Sequence, residues 1–125
     1  QAPPPVAPAA AGDILLSGPF GESRGLLGKG RYAEAARGFQ SSLAGKGGLY
    51  TVQLALACSA DTVARALKSS RGAKEFFILP REFHGRACYR LVWGAYPGRA
   101  AAEKGRTSVP AAWLKDKNPP FIAPL

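Results

Sequence analysis

Apolar residues recur with two different periods in this chain, and the change falls at a glycine-rich break, residues 45–48. Before the break, Tyr32, Ala35, Ala36, Phe39 and Leu43 follow the i, i+3, i+4, i+7 spacing of an amphipathic helix. After it, Tyr50 to Leu56 alternate, with Val52, Leu54 and Leu56 toward one side and Thr51, Gln53 and Ala55 toward the other, the pattern of a half-buried strand. A chain of 125 residues has room for one ordinary domain with an appendage. The break therefore separates a helical segment, residues 14–47, from a β-containing module, residues 48–125. Residues 1–13, opening QAPPPVAPAAAG, read as a Pro/Ala-rich extended linker that cannot bury a core.

Turn and cap signals order the second region. Ser59 and Asp61 suit the cap and first turn of a helix that turns Val63, Ala66 and Leu67 inward and ends near residues 69–72. Two β-rich runs, Glu75 to Phe83 and Arg86 to Gly94, flank His84-Gly85, a two-residue hairpin turn. Pro80 lacks an N–H for the ladder and places its strand at an edge or a bulge. Residues 98–104 have helix-forming composition that Gly105 should shorten, and Phe121-Ile122-Ala123 supply a last strand. The order β-α-β-β-α-β, with right-handed crossovers, closes into an α+β fold: a four-stranded antiparallel sheet with two helices on one face, as in ferredoxin-like and ribonucleoprotein-like modules. The other face is expected to be free, and a helical segment precedes the whole.

Charge concentrates in the same region. The chain carries 17 Lys and Arg against 8 acids, a net +9, and residues 48–125 hold 12 of the bases and 5 of the acids. Such an excess favours polyanionic partners. No run of about 18 apolar residues is present to span a membrane. The absence of methionine, with Gln1 first, suggests a processed chain whose signal has been removed. One histidine, His84, and two cysteines fall short of a four-ligand zinc site, and no cofactor is implied. Cys58 and Cys88 fit a disulfide in an oxidising compartment, or two buried thiols. No nucleophile stands poised beside His84 and no carboxylate pair stands out, so the chain reads as non-catalytic.

Two resemblances sharpen this. Gly28-Lys29-Gly30-Arg31-Tyr32-Ala33-Glu34-Ala35-Ala36 resembles the turn and second helix of a tetratricopeptide unit. One unit makes no solenoid, so the alternative is a lone helix packed on the main module. Tyr50-x-Val52-Gln53-Leu54, an Ala-rich helix, a hairpin, then Tyr89-Arg90-Leu91-x-x-Gly94-x-Tyr96-x-x-Arg99-x-x-Ala102 resembles the SPOR (sporulation-related repeat) domain over most of residues 49–104. The tail, Val109-Pro110 and Asn118 to Ile122, is similar to the end of some members. That resemblance implies a periplasmic or envelope-associated bacterial protein, often of cell division, whose open sheet face binds peptidoglycan glycan strands stripped of stem peptides.

Strand parity then nominates the ligand-binding residues. Gln53 points away from the helices, and the hairpin register pairs Arg81 with Cys88, Leu79 with Arg90 and Phe77 with Val92, all on one face. Gln53, Phe77, Arg81, Arg90, Val92 and Phe121 are the expected glycan contacts: the amide for hydroxyls, Arg90 for a muramic carboxylate and Phe77 for stacking. Family members often carry an aromatic just before the Tyr, where this chain has Cys88; Phe121 or Trp113 is the available substitute. Strict alternation puts Cys58 on the helix side and Cys88 on the open side, so a bridge requires Cys58 past the strand end or a bulge. Competing readings are a protein-interaction module of an envelope assembly, using the upstream helix, and an RNA-binding module of ribonucleoprotein-like topology.

Overall fold

The computed structural model describes Leu15, residues 18–114 and residues 119–125; the Pro/Ala linker lies outside the described residues. The elements are α1 (Gly18–Gly28), α2 (Tyr32–Leu43), β1 (Tyr50–Ala57), α3 (Ala60–Ser69), β2 (Phe76–Phe83), β3 (Arg86–Tyr96), α4 (Arg99–Arg106), the short α5 (Ala111–Leu114) and β4 (Phe121–Pro124). The four strands form one antiparallel sheet in the order β2-β3-β1-β4, preceded by helices. The α+β class and topology are those read from the sequence. β2 is an edge strand, which is why Pro80 is tolerated inside it.

Local chemistry explains the elements. Ser59 caps α3, its hydroxyl accepting from the Thr62 amide at 3.3 Å, with Asp61 in the first turn and Lys68 in the last to complement the helix dipole. The β2–β3 turn has positive φ at both central residues, His84 at 51° and Gly85 at 75°, the twist that two-residue hairpins select. Phe83 pairs with Arg86 across it, and the register continues through Arg81–Cys88, Leu79–Arg90 and Phe77–Val92. Val52, Ile78, Leu91 and Trp93 lie on the side closed by α3 and α4, where the Trp93 indole donates to the Ser108 hydroxyl at 2.9 Å.

Two irregularities depart from simple alternation. In β1, a bulge between Gln53 and Ala55 shifts the pairing, so that Leu56 stands opposite Arg90 rather than sharing a side with Val52. In β3, Gly94 at φ 78° provides an extra residue between the Val52–Trp93 and Tyr50–Tyr96 pairs. The Thr51 hydroxyl closes that bulge by donating toward the carbonyls of Gly94 at 2.6 Å and Trp93 at 3.2 Å. The Tyr96 ring then lies across Gly94 and Gly105, and a Cβ on either glycine would run into it. Gly105 thus does not shorten α4, which continues to Arg106; it makes room for an aromatic ring.

The larger correction concerns the face opposite α3 and α4, which is not wholly free. α1 and α2 form a hairpin that packs on β2. Phe20, Phe39 and Phe77 meet with ring centroids 5.0 to 5.4 Å apart, and one hydrophobic cluster runs through helices and sheet alike. Ser23 sits against Gly38, where a Cβ would collide with its hydroxyl, so the glycine permits the close approach of α1 and α2. Arg24 anchors α1 to the chain before β2 by donating to the Lys74 carbonyl at 2.6 Å. The period of 3.6 marks α2 alone; α1 has glycine at four of its eleven positions, Gly18, Gly21, Gly25 and Gly28, a composition that masks a helix.

Candidate functional site on the sheet

Cover from α1 and α2 divides the expected ligand-binding residues in two. Phe77 and Val92 are 0% exposed, so they are core and offer nothing to a ligand. Phe77 stacks, but on Phe20 and Phe39 rather than on a sugar ring. Gln53 on β1 and Phe121 on β4 lie on the part of the same face beyond the helices, and Arg90 on β3 lies at its margin, bordering a depression that Gln40 and Leu43 of α2 also line. Phe121 is 54% exposed and stands directly across from Gln53. Trp113, by contrast, is partly buried against the core.

Arg90 is held at two points. Its Nε donates to Gln53 Oε1 at 2.9 Å, and its Nη2 donates to the Pro124 carbonyl at 3.2 Å, so the guanidinium bridges three strands. Among the described residues the Gln53 amide nitrogen and Arg90 Nη1 have no hydrogen-bond partner, which leaves donors of both side chains unused at partly buried positions. Burial, and secondarily the charge of Arg81, lower the Arg90 pKa from its ordinary value. The two guanidiniums share one face, while the ion pairs seen among the described residues, Arg31–Glu34 and Lys74–Glu75, lie elsewhere. Positive charge on this face is therefore not neutralised by a neighbouring carboxylate in an ion pair. What the arrangement does well is receive an oxygen-rich anion: fixed N–H donors at the centre and an exposed ring at the edge.

The bridge Cys58–Cys88 is formed, with Cα atoms 4.2 Å apart. The β1 bulge accounts for it. Because Ala57 pairs with Tyr89, the next residue, Cys58, comes opposite Cys88, just past the strand end. The bridge ties the end of β1 to the hairpin end of β3, where Cys88 pairs with Arg81, and Cys88 is 1% exposed.

Reasoning from the sequence missed Arg37 and Gln40 of α2. They face the hairpin across a cleft of about 540 Å³, whose lining also includes Arg81, Glu82, Cys88 and Tyr89. A signal for that cover was present: Phe76-Phe77-Ile78-Leu79 is apolar at four consecutive positions, the mark of a strand buried on both faces. No helix among the described residues is long and apolar enough to cross a membrane. No protein-family model matches the chain, and neither a curated protein nor a solved structure is significantly similar to it.

Proposed function

We propose that this chain is a non-catalytic, SPOR-type module that binds peptidoglycan glycan strands lacking stem peptides, and so localises an exported envelope protein. The observation that carries the reading is the Arg90–Gln53 pair, held across two strands of a ribonucleoprotein-like sheet at the margin of the helical cover, beside the exposed Phe121. Sugars present hydroxyls that an amide both donates to and accepts from, while muramic acid adds a carboxylate that a guanidinium fork matches. The ring of Phe121 offers a face for a pyranose. A formed disulfide is compatible with an oxidising compartment such as the periplasm, and the net +9 suits an acidic polymer.

The test is co-sedimentation of the purified chain with sacculi whose stem peptides have been removed by an amidase, compared with untreated sacculi. Retention is expected on the treated material, and Arg90→Ala should reduce it about tenfold or more, the usual effect of losing a partly buried charged hydrogen-bonding group. Equal retention on both kinds of sacculus would remove glycan specificity from the reading.

A further inference from the structure

The cleft beneath α2 does not end at the hairpin. Its lining residues Gln40 and Pro80 are shared with a second depression bordered by Leu43, Leu79, Arg90 and Leu125. The two make one groove along the seam between α2 and the sheet, running from Arg81 at the hairpin to Arg90 at the margin of the open face. Arg37 stands on its helical wall and Arg81 on its sheet wall, both exposed and neither in an ion pair among the described residues. Of the described residues lining it, Glu82 carries the single acidic side chain. Cys88 of the disulfide is part of its lining.

Resting on the glycan reading above, we propose that this seam is a composite binding groove for a carboxylate-bearing glycan strand, in which α2 contributes Arg37 and Gln40 as ligand contacts alongside Arg81 and Arg90. The chemistry favours a stripped strand over an intact one. A stem peptide is joined through an amide to the lactyl carboxyl of muramic acid, so that carboxyl bears charge only after the peptide is removed. A row of three guanidiniums then meets negative charges fixed to the sugar chain, whereas on an intact strand each lactyl position is a neutral amide and the peptide it carries adds bulk, with its own carboxylates farther out. Helix α2 thereby does more than shield Phe77: its polar edge becomes half of the site.

Direct binding of fluorescently labelled, peptide-free glycan strands to the intact chain tests this, with wild type, Arg37→Glu, Gln40→Ala and Arg90→Ala compared after circular dichroism has shown each to be folded. A second ligand has its muramic carboxyls reduced to alcohols. Arg37→Glu should weaken binding of the charged strand about tenfold, and Gln40→Ala about threefold, as for exposed charged and neutral contacts. Wild type and Arg37→Glu should bind the reduced strand equally. Unchanged binding by Arg37→Glu with loss in Arg90→Ala would overturn the composite groove and leave the sheet site standing. Equal loss by Arg37→Glu on charged and reduced strands would overturn the carboxylate assignment. A wild type that binds neither strand removes both readings together.

Discussion

One face of the sheet is used in two ways. Its β2–β3 part, with Phe77 and Val92, is sealed beneath α1 and α2, while its β1–β4 part, with Gln53 and Phe121, stays in contact with solvent. Phe77 and Phe121 are the same residue type on the same face, yet one closes a core and the other stands on the edge. Strand alternation assigns a face, and only the elements packed on it decide whether that face is core or surface. A ligand site on such a sheet is therefore defined as much by where the cover stops as by which residues point outward.

The sharpest way to break this comparison is to truncate both rings. Phe77→Ala removes a fully buried ring from a three-ring cluster and should lower unfolding stability by about 3–5 kcal/mol. Phe121→Ala removes a mostly exposed ring and should cost about 0.5 kcal/mol or less, while weakening retention on peptide-free sacculi. Urea denaturation of the two variants measures the difference. If Phe77→Ala were as mild as Phe121→Ala, the helical hairpin would not be docked in solution and the whole face would be open.

The disulfide probes the same division from the other side. It closes a separation of 30 residues and staples β1 to β3, a covalent tie within the sheet. Replacing both cysteines with serine should reduce stability by about 3–4 kcal/mol, the loop-closure estimate for such a separation, measured by denaturation of the variant against oxidised wild type. The loss should appear as one cooperative transition, because a single hydrophobic cluster joins the helices to the sheet. Two separate transitions would mean that the covered and open halves are distinct folding units and that the groove between them has no fixed width.

Much of this architecture is legible in the residues. The period change at residues 45–48, the Ser59 cap, the His84-Gly85 turn and the edge-breaking Pro80 each act over a few positions, and each appears where expected. The hairpin register follows from the turn alone, so Arg90 and Arg81 are found on one face. What alternation could not supply is non-local. A bulge between Gln53 and Ala55 reverses parity within one strand, moving Leu56 across the sheet and bringing Cys58 over Cys88, and nothing in Gln53-Leu54-Ala55 announces it. α1 is disguised by its four glycines, which carry low helix propensity, and the glycine that lets α1 and α2 approach closely, Gly38, lies on the partner helix. The contribution of Arg37 and Gln40 depends on where α2 docks, a fact held by Phe39 and Phe77 together and by neither sequence segment alone.

The smallest expected effect concerns whether the open half is organised before any ligand arrives. Arg90 Nε donates to Gln53 Oε1 at 2.9 Å across the β1–β3 boundary, next to the bulge that turns β1. Both side chains are only partly buried, so solvent competes for the contact and the coupling must be modest. A double-mutant cycle of Gln53→Ala and Arg90→Ala, read by denaturation, should give a coupling of about 0.5–1 kcal/mol. Arg90→Lys should behave like Arg90→Ala in that cycle, because a lysine has no planar fork to reach Gln53 and the Pro124 carbonyl at once. A coupling near zero would mean that the guanidinium swings freely on a surface strand, and recognition would then rest on its charge alone. A measurable coupling that lysine cannot restore would show that the sheet fixes the direction of the guanidinium as well as its charge, through the contacts that Arg90 makes to Gln53 of β1 and Pro124 of β4.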